Sequence, residues 1–147
     1  MQSRIIVKGI IHLKLIGPDG QTKLERVVEN IVTNAGRAHI IDRLQGASVA
    51  VADYIAIGSG AVGAAPGDLA LGSELARAEG TLSQPDAYTD RCVYNFAAGT
   101  GTGTITEAGR LNAGSNGTLV GRQVFTAIPK AAGDTLQITY DFTYAAS

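Results

Sequence analysis

Few residues in this chain have a type and spacing that could do chemistry. Gly58-Ser59-Gly60-Ala61-Val62-Gly63 satisfies the dinucleotide-binding pattern G-x-G-x-x-G letter for letter, and it follows a short apolar run, Tyr54 to Ile57. That chemistry also needs a helix opening at the glycines, so that its first N–H groups meet a pyrophosphate. Here Ala64-Ala65-Pro66-Gly67-Asp68 follows, which breaks a helix, and no alternation of strands and helices surrounds it. The segment reads as a Gly/Ala-rich loop, and no cofactor is expected. Gly99-Thr100-Gly101-Thr102-Gly103-Thr104 lacks the Gly-Lys-Ser/Thr ending of a phosphate loop and reads as a connection between strands.

The remaining candidates are isolated. His12 and His39 are the two histidines, neither at metal-ligand spacing from other donors, so no metal is expected. The single cysteine, Cys92, reads as a core thiol, and it excludes an intramolecular disulfide. Asp86, Asp90, Glu107, Asp134 and Asp141 are scattered through turns and polar strand faces, where solvation is the default. Asn116-Gly117-Thr118 matches a glycosylation sequon but reads as a hairpin turn. No catalytic constellation emerges, and the chain is not expected to be an enzyme.

The elements around these residues are mostly strands. From Arg4 to Ile16 the pattern has period two, with Ile5, Val7, Gly9, Ile11, Leu13 and Leu15 on one face and Arg4, Lys8, His12 and Lys14 on the other. Gly17-Pro18-Asp19-Gly20 turns the chain, and Thr22 to Glu29 returns beside it, making residues 1–29 an N-terminal hairpin that could serve as an extended arm. One short helix is expected at about residues 34–45. Thr33 or Asn34 caps it, Ile40, Ile41 and Leu44 form its apolar face, Ile31 and Val32 staple its start, and Gly46 stops it. Residues 58–72 are expected to form a long flexible loop, Glu74 to Ala78 a strand, and Pro85-Asp86 a turn. Beyond these, Tyr88 to Ala97 is expected to place Tyr88, Cys92, Tyr94 and Phe96 on one face. Glu107-Ala108-Gly109 suits a bulge, and Leu136, Ile138, Tyr140, Phe142 and Tyr144 alternate with polar residues in the clearest strand of the chain. The fold class is mainly β: a single-domain sandwich or jelly-roll-like barrel with one short helix and the N-terminal hairpin.

Composition narrows the partners. The 147 residues are 45% hydrophobic and 17% charged, with 12 basic and 13 acidic residues spread without blocks. Nucleic acid is not expected as a partner, since phosphate binding needs a clustered basic face. No apolar run approaches the roughly 20 residues of a membrane span, and Lys8, His12 and Lys14 spoil the N-terminus as a signal peptide. Light charge on a small protein suggests surface made for a partner.

From Ile105 onward the chain resembles a group of small tailed-bacteriophage virion proteins. Ile105-Thr106-Glu107-Ala108-Gly109, Leu111-Asn112, Gly117-Thr118-Leu119, Arg122, Phe125, Ile128, Lys130 and Asp134 to Tyr140 follow in order the group's "ITEAGLFNA…GTLLAR…F…I.K…DTL.ITW". Tyr54 to Gly60 with Leu71 to Arg77 resembles its "YIALGTG…ALGTELAR", and Asn30 to Gly36 its "NLVVNAG". Arg110 stands where Leu is usual, Gly121 where Ala is, and Tyr140 where Trp is. The resemblance implies a non-enzymatic structural protein of the virion, made in the bacterial host cytoplasm. The leading role is capsid decoration on the major capsid protein as a homo-oligomer, with a trimer guessed from capsid symmetry. A tail, baseplate or fibre-adaptor subunit is the alternative; a carbohydrate- or host-surface-binding module is another, poorly served by the lack of tryptophan. Contacts are expected on the N-terminal strand (Arg4, Ile6, Lys8, Ile10) and on the glycine-rich loop (Gly58, Gly60, Val62, Pro66).

Overall fold

In the computed structural model, which covers residues 1–147, period-two segments become strands and the one capped segment becomes the helix. The elements run β1 (Ile5–Ile16), β2 (Thr22–Val32), α1 (Asn34–Leu44), β3 (Tyr54–Gly58), β4 (Glu74–Glu79), β5 (Thr81–Asp86), β6 (Thr89–Phe96), β7 (Gly103–Leu111), β8 (Leu119–Lys130) and β9 (Thr135–Ala146). All pairings are antiparallel, in the order β4-β3-β7-β8-β2-β1-β9-β6-β5. The two ends of that order are one run of chain, β4 and β5, which meet at Gly80, whose N–H donates to Asp53 O. The run leaves β3 for β6 at this point, so the sheet curls into a nearly closed barrel. The mainly β class with one short helix is thus the architecture of the chain.

Inside lie Ile11, Leu13 and Leu15 of β1, Ile55 and Ile57 of β3, Cys92 and Phe96 of β6, Ile105 of β7, and Leu136, Ile138, Tyr140 and Phe142 of β9. The alternation expected for β1 and β9 is what puts these residues inward. The hairpin is no arm, however. β1 pairs along its whole length with β9, from Ile5↔Ala146 to Ile16↔Thr135, so the hairpin is a wall of the barrel. Three further expectations are corrected. Ile31 and Val32 are strand residues paired with Arg122 and Gly121, not a helix staple. Pro85-Asp86 ends β5 and the turn is Ala87-Tyr88, which leaves Tyr88 outside the strand. Asp90 takes the inward position expected of Tyr88, opposite Phe142.

The helix begins as its sequence indicates: Thr33 caps it, its hydroxyl accepting from Gly36 N at 2.9 Å. Its packing face differs from the expected one. The buried residues are Gly36 and His39, whereas Ile41 and Leu44 are exposed. The Thr33 hydroxyl donates to Leu119 O, and a Cβ on Gly36 would collide with Val120 O, so the helix lies directly on β8 through its smallest residue. That contact fixes the rotation of α1 and turns the Ile/Leu stripe outward.

Candidate functional site

The glycine-rich loop is organised by one carboxylate. Glu107, fully buried on β7, follows a register shift between Ile105 and Glu107 whose extra residues lie on β8, so the bulge expected at Glu107-Ala108-Gly109 is displaced to the residues before it. It accepts from Gly60 N (2.6 Å), Gly72 N (2.7 Å) and Ser73 N (2.7 Å), and from Arg122 Nε (3.0 Å). Arg122, equally buried on β8, also donates to Asp68 (2.8 Å) and to Val62 O (2.9 Å). Burial alone would push the Glu107 carboxyl up, but the donors from Ser73, Gly72, Arg122 and Gly60 outweigh it and hold the group below its usual value. The glycines therefore do cradle an anion, and that anion is the protein's own. A Cβ at Gly58 or Gly60 would run into the Glu107 carboxylate. Residues 58–72, expected as a flexible loop, are tied at both ends and in the middle, and Pro66 O accepts from Asn34 N at the start of the helix.

The second feature is a groove of about 550 Å³ at the mouth of the barrel. Its walls are apolar: Ile5, Ile40, Leu44, Leu82, Phe142 and Tyr144. Arg110 and Asp90 also line it. Arg110, fully buried on β7, reaches across to the opposite wall, where it meets the Asp90 carboxylate in a fork at 2.9 and 3.0 Å. It donates as well to Ala52 O, and its guanidinium lies 5.1 Å from the centre of the Phe142 ring. Burial, then the Arg43 charge, lowers the pKa of His39, which favours the neutral ring beside the groove.

These arrangements tie the buried charged groups to one another and to the backbone. Cys92 hydrogen-bonds to Asp53 O, and burial pushes its thiol up to about 11, so thiolate is scarce at neutral pH. His12 pairs with Glu25 on the outer surface. No group of three or more His, Cys, Asp or Glu side chains is placed to hold a metal ion.

The expected contact residues fall on two separate faces. Ile6, Lys8 and Ile10 project outward from β1, with Arg4 just before it, while Ile5 on the other face of the strand lines the groove. Gly58 and Gly60 are buried against Glu107 and cannot serve as contacts, whereas Val62 and Pro66 are exposed at the loop surface. β1 and β3 stand four steps apart in the strand order. The walls of the groove come from eight separate segments, β1, α1, residues 51–52, β5, β6, β7, β8 and β9, which no local pattern brings together; Leu44 reads as part of the helix's apolar face, and Leu82 lies in a strand with no period. A scan against protein-family models and searches of curated proteins and solved structures each gave no match.

Proposed function

We propose that this chain is a non-enzymatic structural subunit of a tailed-bacteriophage particle, a capsid decoration protein seated on the major capsid protein. The observation that carries the reading is how the side chains are distributed. Buried charges such as Glu107, Arg110 and Arg122 are engaged with other parts of the same chain, while the exposed Ile5, Leu44, Leu82 and Tyr88 line two adjoining grooves and further apolar side chains, Ile6, Val27 and Val62 among them, are exposed elsewhere on the surface. A barrel whose buried charges are paired internally and whose surface carries exposed apolar side chains is suited to binding a neighbour. The ordered resemblance from Ile105 to Tyr140 gives the neighbour its class.

The test is copy number in purified virions, by quantitative mass spectrometry against the major capsid protein. A ratio near one, or a simple fraction of it, is expected. A ratio of a few per cent would replace decoration with the tail or baseplate reading, and absence from particles would overturn the structural assignment.

A further inference from the structure

Of the two histidine rings, only that of His12 is hydrogen-bonded within the chain, although His39 is the buried one, 7% exposed. Buried polar side chains are normally partnered, and His39 lines the 550 Å³ groove, where a ligand atom can reach its ring. One turn further along α1, Arg43 lines the same groove. Its Nη1 donates to Val49 O at 2.9 Å, and its other N–H groups have no partner in the chain. The helix thus presents two incompletely used groups, four residues apart and on one side, beside apolar walls. The charge of the lining favours an anion there. It holds two guanidinium groups, Arg43 and Arg110, against the single carboxylate of Asp90, and that carboxylate is already engaged by Arg110.

We propose that the groove binds a small amphiphile with a carboxylate head and an aliphatic chain, the head accepting from Arg43 and the His39 ring and the chain lying along Leu44, Leu82 and Phe142. The class follows from the lining. An ionised carboxylate offers acceptors only, and a guanidinium and an imidazole N–H are the donors that match it. Beyond His39, Arg43, Asp90 and Arg110, the one polar group on the walls is the Tyr144 hydroxyl. A sugar or a nucleotide would leave most of its hydrogen-bonding groups unmatched there, whereas an aliphatic chain has none to match. The volume falls within the roughly 300–1,000 Å³ of small-molecule sites and suits one chain of medium length. Val120, Phe142 and Arg110 are buried members of the barrel, so this part of the site is in place before a ligand arrives. The binding site goes beyond the structural role, which requires no small ligand.

The test titrates decanoate, below its micellar concentration, into the purified full-length chain, so its outcome is independent of where the protein sits in a virion. Calorimetry reads the affinity and NMR the location. Saturable one-to-one binding is expected, with the largest shifts at the His39 ring and the methyl groups of Leu44 and Leu82. Decanol keeps the chain without the charge, and decyltrimethylammonium reverses the charge; each should bind about tenfold more weakly or worse. Arg43→Gln and His39→Phe should each raise the Kd for decanoate by about tenfold and leave that for decanol unchanged. Val27→Lys, an exposed position on β2 away from the groove, should alter neither. No saturable binding, equal affinity for the cationic amphiphile, or indifference to Arg43→Gln would overturn the proposal. Tighter binding of a short peptide ending in a leucine carboxylate would overturn it as well, by giving the groove to a chain terminus. Arg43 is exposed, so its variant decides the matter even if His39→Phe folds poorly.

Discussion

Among single residues, Glu107 has the largest structural consequence, and the sequence exposed only half of its role. The sequence reads an interruption of pairing at Glu107-Ala108-Gly109, but the register shift lies just before it, between Ile105 and Glu107, and the three residues themselves pair in unbroken register with Val124, Gln123 and Arg122. That the carboxylate would be the anion inside the Gly58–Gly60 cradle is not legible, since the two segments are 47 residues apart and meet only through the β3–β7 ladder. Removing its charge should be severe. In Glu107→Gln, Arg122 keeps Asp68 and Val62 O but loses its buried partner, and the loop loses a shared acceptor. Breaking a buried pair from one side costs about 3 kcal/mol or more, so urea denaturation should show a loss of that order. The acid limb should change as well. The folded-state value of Glu107 lies below its ordinary 4.5, so its stabilisation is complete above that value and disappears as the pH falls through the folded value. The natural protein should therefore lose stability below about pH 4.5 more steeply than Glu107→Gln does. Parallel acid limbs would show that the carboxylate is not coupled to folding.

Among the elements, the helix displays the difference between what a local pattern fixes and what tertiary contact decides. Thr33 as cap and the stop near Gln45-Gly46 are local chemistry, and the residues themselves indicate both. The buried face is a different matter. Apolar periodicity selects Ile40, Ile41 and Leu44, but close approach to β8 selects Gly36, because only a residue without a Cβ can sit on Val120 O. Backbone proximity overrode hydrophobic period, which is why the exposed Leu44 and the groove beside it were not foreseen. β5 was overlooked for a related reason: a strand with no buried residue has no period to read. Thr33 is the hinge of this arrangement, accepting from Gly36 N and donating to Leu119 O. Thr33→Ala loses both bonds, and cap deletions cost about 1–2 kcal/mol. Thermal denaturation should show a Tm lower by several degrees, with faster amide exchange confined mainly to the first turn of α1. An unchanged Tm would mean that the helix is held by its packing alone.

For the whole molecule, the decisive question is whether β1 is an appendage or a wall. A two-residue period cannot distinguish them, because an arm strand and a barrel strand alternate alike; only the partner differs. β1 lies between β2 and β9 and contributes the fully buried Ile11 and Leu13 and the nearly buried Leu15. Burying three such side chains contributes about 5–9 kcal/mol, comparable with the entire net stability of a small domain. Deleting residues 1–16 should therefore abolish cooperative unfolding rather than yield a trimmed, folded core. The same topology predicts that chain order matters little. Ser147 N donates to Arg4 O at 3.4 Å, and Ile5 pairs with Ala146, so joining Ser147 directly to Met1 lets Ser147 and residues 1–4 act as a hairpin loop between β9 and β1. Opening the permuted chain between Pro18 and Asp19, in an exposed turn, moves β1 from the beginning of the protein to its end with every strand partner kept. The permutant should unfold cooperatively, with a stability within about 2 kcal/mol of the natural chain, while the truncated chain should not. If the truncated chain folds and the permutant does not, β1 is an arm after all and the continuous β1–β9 pairing is dispensable.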